Sequence, residues 1–108
     1  MTPPDSRELA NLRRRAQPLR PRITIGRAGL NEAQVAQVRQ ALATHPLLKV
    51  RVGSADRETA DAIGRRLAES VPCILVGRLG FVLTLYDPRH DTHPPAGAAG
   101  GEARDERI

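Results

Sequence analysis

The sequence predicts a compact α/β domain in the order αβαβαββ, a four-stranded mixed sheet packed with helices, and three observations predict it. Three segments repeat apolar residues at helical spacing, each opened by a capping residue. Four shorter segments alternate or run apolar at strand length, the last two meeting at Gly80. Helices alternating with the early strands require crossovers, while a terminal hairpin adds antiparallel pairing, so the sheet is mixed.

The first helix begins after Asp5-Ser6, where Glu8 completes a capping-box pattern. Leu9, Leu12 and Ala16 form its apolar stripe, Arg13 and Arg14 stay outside it, and Pro18 and Pro21 stop it. Arg22 to Ile25 is a short strand with Ile23 and Ile25 on one face. Asn31 caps the second helix with Gln34 as its box partner, Leu30 staples onto Val35, Val35, Val38 and Leu42 form its apolar stripe, and His45-Pro46 ends it. Leu48, Val50 and Val52 alternate with Leu47, Lys49 and Arg51, the period of a half-exposed strand that closes at Gly53-Ser54. Lys49 and Arg51 therefore share a face. Asp56 caps a third helix with Ala60, Ile63, Leu67 and Val71 inside, and with Asp61, Arg65 and Glu69 spaced four apart on the solvent side. Cys73 to Leu79 and Phe81 to Tyr86 form the hairpin. The domain spans 6–90, with a flexible start over 1–5 and a Pro-, Gly- and Ala-rich tail over 91–108 that lacks a core pattern.

A chain of 108 residues has room for one core. It shows no apolar run of membrane-spanning length and no signal-peptide pattern, so a cytoplasmic protein is expected. One cysteine, Cys73, excludes an intrachain disulfide and a Cys-based zinc site, and its apolar neighbours point to a buried thiol. The net charge is +5, and Lys49 is the single lysine among 17 basic residues. The remaining cations are guanidinium forks, suited to bidentate contact with phosphate. Between Arg7 and Arg27 seven arginines face one glutamate, a net of +6, whereas from Asp91 onward four acids face two arginines, a net of −2. A polyanionic partner is implied, and nucleic acid is the commonest one in the cytosol.

Gly26, Arg27, Ala28 and Gly29 connect the first strand to the second helix. Two glycines three apart allow close backbone approach, and the helix end favours an anion. An ordinary turn is the plain alternative, but Arg20, Arg22 and Arg27 around the loop favour phosphate. Gly77-Arg78-Leu79-Gly80 has the same spacing but opens no helix, so it reads as a hairpin. His90-Asp91-x-His93 lacks orienting partners for a metal. Asp56, Glu58 and Asp61 are explained as caps and Arg partners, and no nucleophile has a base beside it, so no enzyme, cofactor or metal site is assigned.

Leu12-Arg13, Ala16, Pro18-Leu19-Arg20-Pro21, Ile25-Gly26-Arg27-Ala28-Gly29-Leu30, Lys49-Val50, Asp56-Arg57-Glu58-Thr59 and Leu85-Tyr86 fall in one order and spacing. That pattern, from Ser6 to Pro88, resembles the CRM domain (chloroplast RNA splicing and ribosome maturation), and most of all its stand-alone bacterial form, the YhbY family. The resemblance implies an RNA-binding fold similar to the C-terminal domain of translation initiation factor three, with Gly26 to Gly29 on the RNA face. It also implies association with precursors of the large ribosomal subunit. Three positions depart from the family pattern: Gln17 stands where His is frequent, Arg15 where an apolar residue is, and Asp87 where Arg is usual. The last leaves that cation either lost or supplied by Arg89.

The sequence thus reads as a non-catalytic RNA-binding protein, its partner RNA, expected to be ribosomal RNA of the large-subunit precursor, and not a membrane or small molecule. The expected contacts are Arg13, Arg14, Arg20, Arg22, Gly26, Arg27, Ala28, Gly29, Lys49 and Arg51. Phe81 and Tyr86 are the only large aromatics, which favours backbone and shape recognition over base stacking. The alternative of another class is a protein-interaction module whose arginines meet an acidic protein.

Overall fold

Each helix begins at its expected cap. In the computed structural model, which describes residues 3–53 and 56–91, α1 (Ser6–Ala16) and α2 (Glu32–Thr44) both open on reciprocal capping boxes, Asp5 with Glu8 and Asn31 with Gln34. α3 (Arg57–Ser70) opens on Asp56, whose carboxylate accepts from the Thr59 N–H at 2.7 Å. The strands are β1 (Ile23–Ile25), β2 (Leu47–Val52), β3 (Ile74–Leu79) and β4 (Val82–Tyr86), followed by a single 3-10 turn at Pro88–His90. The order is the expected αβαβαββ.

The sheet order is β1-β2-β4-β3, with β1 parallel to β2 and the other neighbours antiparallel. One face carries Ile23, Ile25, Leu48, Val50, Val52, Leu83 and Leu85, and it packs with Val38 and Leu42 of α2 and Ala60, Ile63 and Leu67 of α3. α3 approaches closely at Gly64, where a Cβ would lie 3.1 Å from a Leu75 methyl, so the core is shaped around a missing side chain.

The second face is where the expectation of a half-exposed β2 needs correction. Leu47 is buried, because α1 lies across that end of the sheet and seats Leu12 and Ala16 on Leu47, Val76 and Tyr86. The other end of this face, around Lys49 and Arg51, has no helix over it among the described residues and opens into a groove beside α1. A strand read alone cannot reveal which end a distant helix will cover.

A β-bulge in β3 sets the remaining orientations. The pairing steps from Leu75↔Leu85 to Gly77↔Thr84, so Val76 is the extra residue and both it and Gly77 lie on the α1 side. The phase of the strand reverses after it. Arg78, opposite Leu83, turns to α3 and donates to Asp61, while Leu79, opposite Val82, returns to the α1 side. Asp61 is thus paired across elements with Arg78, and not along its own helix with Arg65 as the four-residue spacing suggested.

The expected tail lies outside the described residues except for Asp91, which is held to the body. Its carboxylate accepts from the Arg15 guanidinium at 3.1 Å and from the Tyr86 hydroxyl at 2.7 Å, and its side chain is 2% exposed. Arg15 also sits 6.0 Å from the Tyr86 ring centroid. Burial, and then the Asp91 contact, raise the Tyr86 pKa, so the hydroxyl stays a donor. The ordered body therefore extends beyond His90, and Arg15 in place of an apolar residue acquires a local role. Asp91→Asn, which keeps the shape and removes the charge, is expected to cost about 1–2 kcal/mol and lower Tm by roughly 5–10 °C. A thermal melt unchanged from the parent would refute this anchoring.

Candidate nucleic-acid interface

Because α1 covers only one end of the second face, a groove of ≈ 890 Å³ is left between its exposed side and the bare strands. Arg13, Arg14 and Gln17 line it from the helix, and Lys49 and Arg51 from β2. Strand pairing places Thr84 beside Lys49 and Val82 beside Arg51, and then Gly77 and Leu79 of β3 beside Thr84 and Val82. The helix supplies its cations at 13 and 14 because Leu12 and Ala16 fix which side faces the sheet.

No carboxylate among the described residues neutralises these cations. Among the described residues, the arginine ion pairs join Arg15 to Asp91, Arg78 to Asp61 and Arg89 to Asp87. Arg13, Arg14, Lys49 and Arg51 form none, and neither do Arg20, Arg22 or Arg27. Arg78 borders the groove, but its guanidinium is committed to Asp61 and the Gly80 carbonyl.

The remaining expected residues fall around this groove in different ways. Gly26 to Gly29 form an exposed turn closed by the Gly29 N–H donating to the Gly26 carbonyl at 3.0 Å. Gly29 has φ +92°, a left-handed backbone that favours glycine. The turn adjoins the end of β2, since the Gly53 N–H donates to the Ile25 carbonyl at 2.7 Å, and Arg51 lies two residues before Gly53. Arg27 and Ala28 are exposed in the turn. The helix end behind it offers less than its sequence suggests, because the Asn31–Gln34 box occupies the Gln34 N–H and Glu32 places a negative charge in the first turn. Arg20 is exposed on the link from α1 to β1. Arg22 lines a separate, shallower hollow of ≈ 390 Å³ with Gln37, Gln40 and Thr44 of α2. Gln17, Gly77, Leu79, Val82 and Thr84 were not singled out from sequence as parts of the site, since strand pairing and the bulge bring the last four beside Lys49 and Arg51, and the seating of α1 brings Gln17 to the same groove.

A model of the CRS1/YhbY (CRM) domain matches residues 5–86 of this sequence. The chain belongs to that family. A Haemophilus influenzae protein named "RNA-binding protein" is 33% identical to this CRM domain over 91 residues, covering 84% of this chain and 92% of that protein. The solution structure of a hypothetical Staphylococcus aureus protein, described provisionally as RNA binding, superposes with a TM-score of 0.67 at 26% identity, covering 73% of this chain and 82% of the other.

At the position where a cation was expected, this CRM domain has an internal salt bridge. Asp87 is 2% exposed. Burial opposes its charge, but hydrogen bonds from the Arg89 side chain and backbone, with the charges of Arg89 and His90, outweigh that and hold its pKa below the ordinary value. Arg89 is thus engaged by Asp87 and by the Pro72 carbonyl. Among the described residues no three His, Cys, Asp or Glu side chains group as metal ligands, and no helix is long and apolar enough to cross a membrane. Cys73 is buried as expected, and burial, then the negative charge of Asp87, push its thiol up to about 12. At pH 8 the native thiol is therefore expected to react with a disulfide reagent on the order of a hundred times more slowly than in denaturant. Equal rates by stopped-flow absorbance would show an accessible thiolate.

Proposed function

We propose that this protein binds RNA without catalysing a reaction, and that it acts in the cytoplasm on precursors of the large ribosomal subunit as an assembly factor. The observation that carries the binding reading is the groove whose four cations, Arg13, Arg14, Lys49 and Arg51, have no acidic partner among the described residues. Desolvated internal pairs would have little left to offer a phosphate, whereas open guanidinium and ammonium groups release counterions on binding. Membership of the CRM family and the name of the Haemophilus relative support the same partner class. The ribosomal assignment follows the family resemblance alone. Tyr86 lies beneath α1 and Phe81 packs against the main core, so neither ring offers an open stacking platform.

The direct test is to isolate the tagged protein from cells at low salt, identify its bound RNA, and follow it through a ribosome gradient. Enrichment of immature large-subunit RNA is the expected result, and a complex that survives nuclease would identify an acidic protein partner instead. In vitro, replacing Arg13, Arg14, Lys49 and Arg51 with Gln is expected to make the salt dependence of binding shallower by about 0.7–0.9 for each phosphate no longer neutralised. Arg57→Gln and Arg65→Gln, on α3, should leave the slope in place.

We also propose that the turn at Gly26 to Gly29 extends the RNA face beyond Arg51. Gly29→Asp places an anion there and strains a left-handed backbone position, so it is expected to reduce RNA affinity severalfold with a stability loss of roughly 1 kcal/mol. Titration of a folded variant that matches the parent would remove the turn from the interface.

A further inference from the structure

Leu79 is 86% exposed, and it is the exposed large hydrophobic residue of the described structure. A single surface leucine requires no explanation. This one, however, lies at the rim of the cationic groove, and the β3 bulge put it there by reversing the phase that would otherwise have sent it to the α3 side. Its pairing partner Val82 extends the aliphatic surface across the groove floor. Gly77, next along that floor, has no side chain, and a Cβ there would meet nothing nearer than the Arg13 Nε at 4.0 Å.

The floor is therefore graded across the strands: Lys49 and Arg51 on β2, Thr84 and Val82 on β4, Gly77 and Leu79 on β3. Neighbouring strands are about 4.8 Å apart and β4 lies between β2 and β3, so the β2 cations stand about 5 Å from Val82 and roughly 10 Å from Leu79, the scale of a nucleotide's phosphate-to-base span. Paired, stacked bases keep their faces inside the duplex. Only an unpaired nucleotide can set its phosphate on β2 and lay its base on β3.

Building on the RNA-binding reading, we infer that the groove receives an unpaired RNA strand, with phosphates on Arg13, Lys49 and Arg51 and a base resting on the Leu79–Val82 surface. Charge complementarity selects the polyanion, and the aliphatic strip selects its unpaired form. An aliphatic strip contacts any base, so this subsite favours exposed strands and loops over duplex and does not read sequence.

The test compares fluorescence-anisotropy titrations of a short oligouridine strand and a blunt-ended A-form duplex with the same number of phosphates. The parent protein is expected to bind the strand more tightly. Leu79→Ser is expected to weaken strand binding about fivefold, leaving duplex binding and the salt slope unchanged, since every phosphate keeps its cation. Leu79→Phe should tighten strand binding, because a ring stacks on a base better than a methyl pair does. Leu79 is exposed, so both variants are expected to keep the parent melt. Duplex bound as tightly as strand, or a Leu79→Ser variant that spares the strand or weakens both RNAs alike, would overturn the subsite while RNA binding stood. Failure of the parent to bind either RNA would overturn the functional reading, and this one with it.

Discussion

The seating of Leu12 and Ala16 on Leu47, Val76 and Tyr86 is the contact on which the rest of this molecule depends. It attaches a highly charged helix to a sheet whose opposite face already holds the larger core. Since α1 is only 11 residues long, it covers one end of the strands and leaves the other end bare. The groove is the space beside that contact. Its cations come from the two sides brought together: Arg13 and Arg14 follow Leu12 on the helix, and Lys49 and Arg51 follow Leu47 on β2, keeping strand alternation.

Charge is sorted within this arrangement. Arginines whose chains run toward elements carrying carboxylates are neutralised: Arg15 by Asp91, Arg78 by Asp61, Arg89 by Asp87. Two of those pairs hold elements together, joining α1 to the segment after β4 and β3 to α3, while Arg89 closes the 3-10 turn onto its own cap residue, Asp87. Arg13, Arg14, Lys49 and Arg51, which line the groove, form no ion pair among the described residues. A basic composition thus divides, among the described residues, into a paired set and an unpaired set, and the division follows from placement, since nearly all these residues share one side-chain chemistry.

The turn at Gly26 to Gly29 illustrates how local and tertiary information differ. Its sequence states a sharp reversal before a helix, and the hydrogen bond closing it and the φ of Gly29 agree. Its value as an anion site also depends on the helix behind it, where the capping box has occupied a donor. The same box that made the start of α2 legible thereby lessens what that start offers a ligand. What the turn retains is proximity to β2 through Gly53 and Ile25, a contact between strands that no local pattern encodes.

The sequence by itself determined the elements, their order and the main core, because caps, prolines and apolar periods act over a few residues and each is written in its own segment. It also determined that Lys49 and Arg51 share a face, since strand alternation is local. Which end of the sheet α1 covers, that Arg22 falls in a different hollow from Arg13, and that Asp91 belongs to the body were decided by contacts between residues far apart in the chain. The bulge at Val76 is the clearest case. One unpaired residue reverses every side chain after it, exchanging Arg78 for Leu79 on the groove side, and the strand's own pattern carries no mark of it, because it arises only when β3 is aligned against β4 and pulled toward α1.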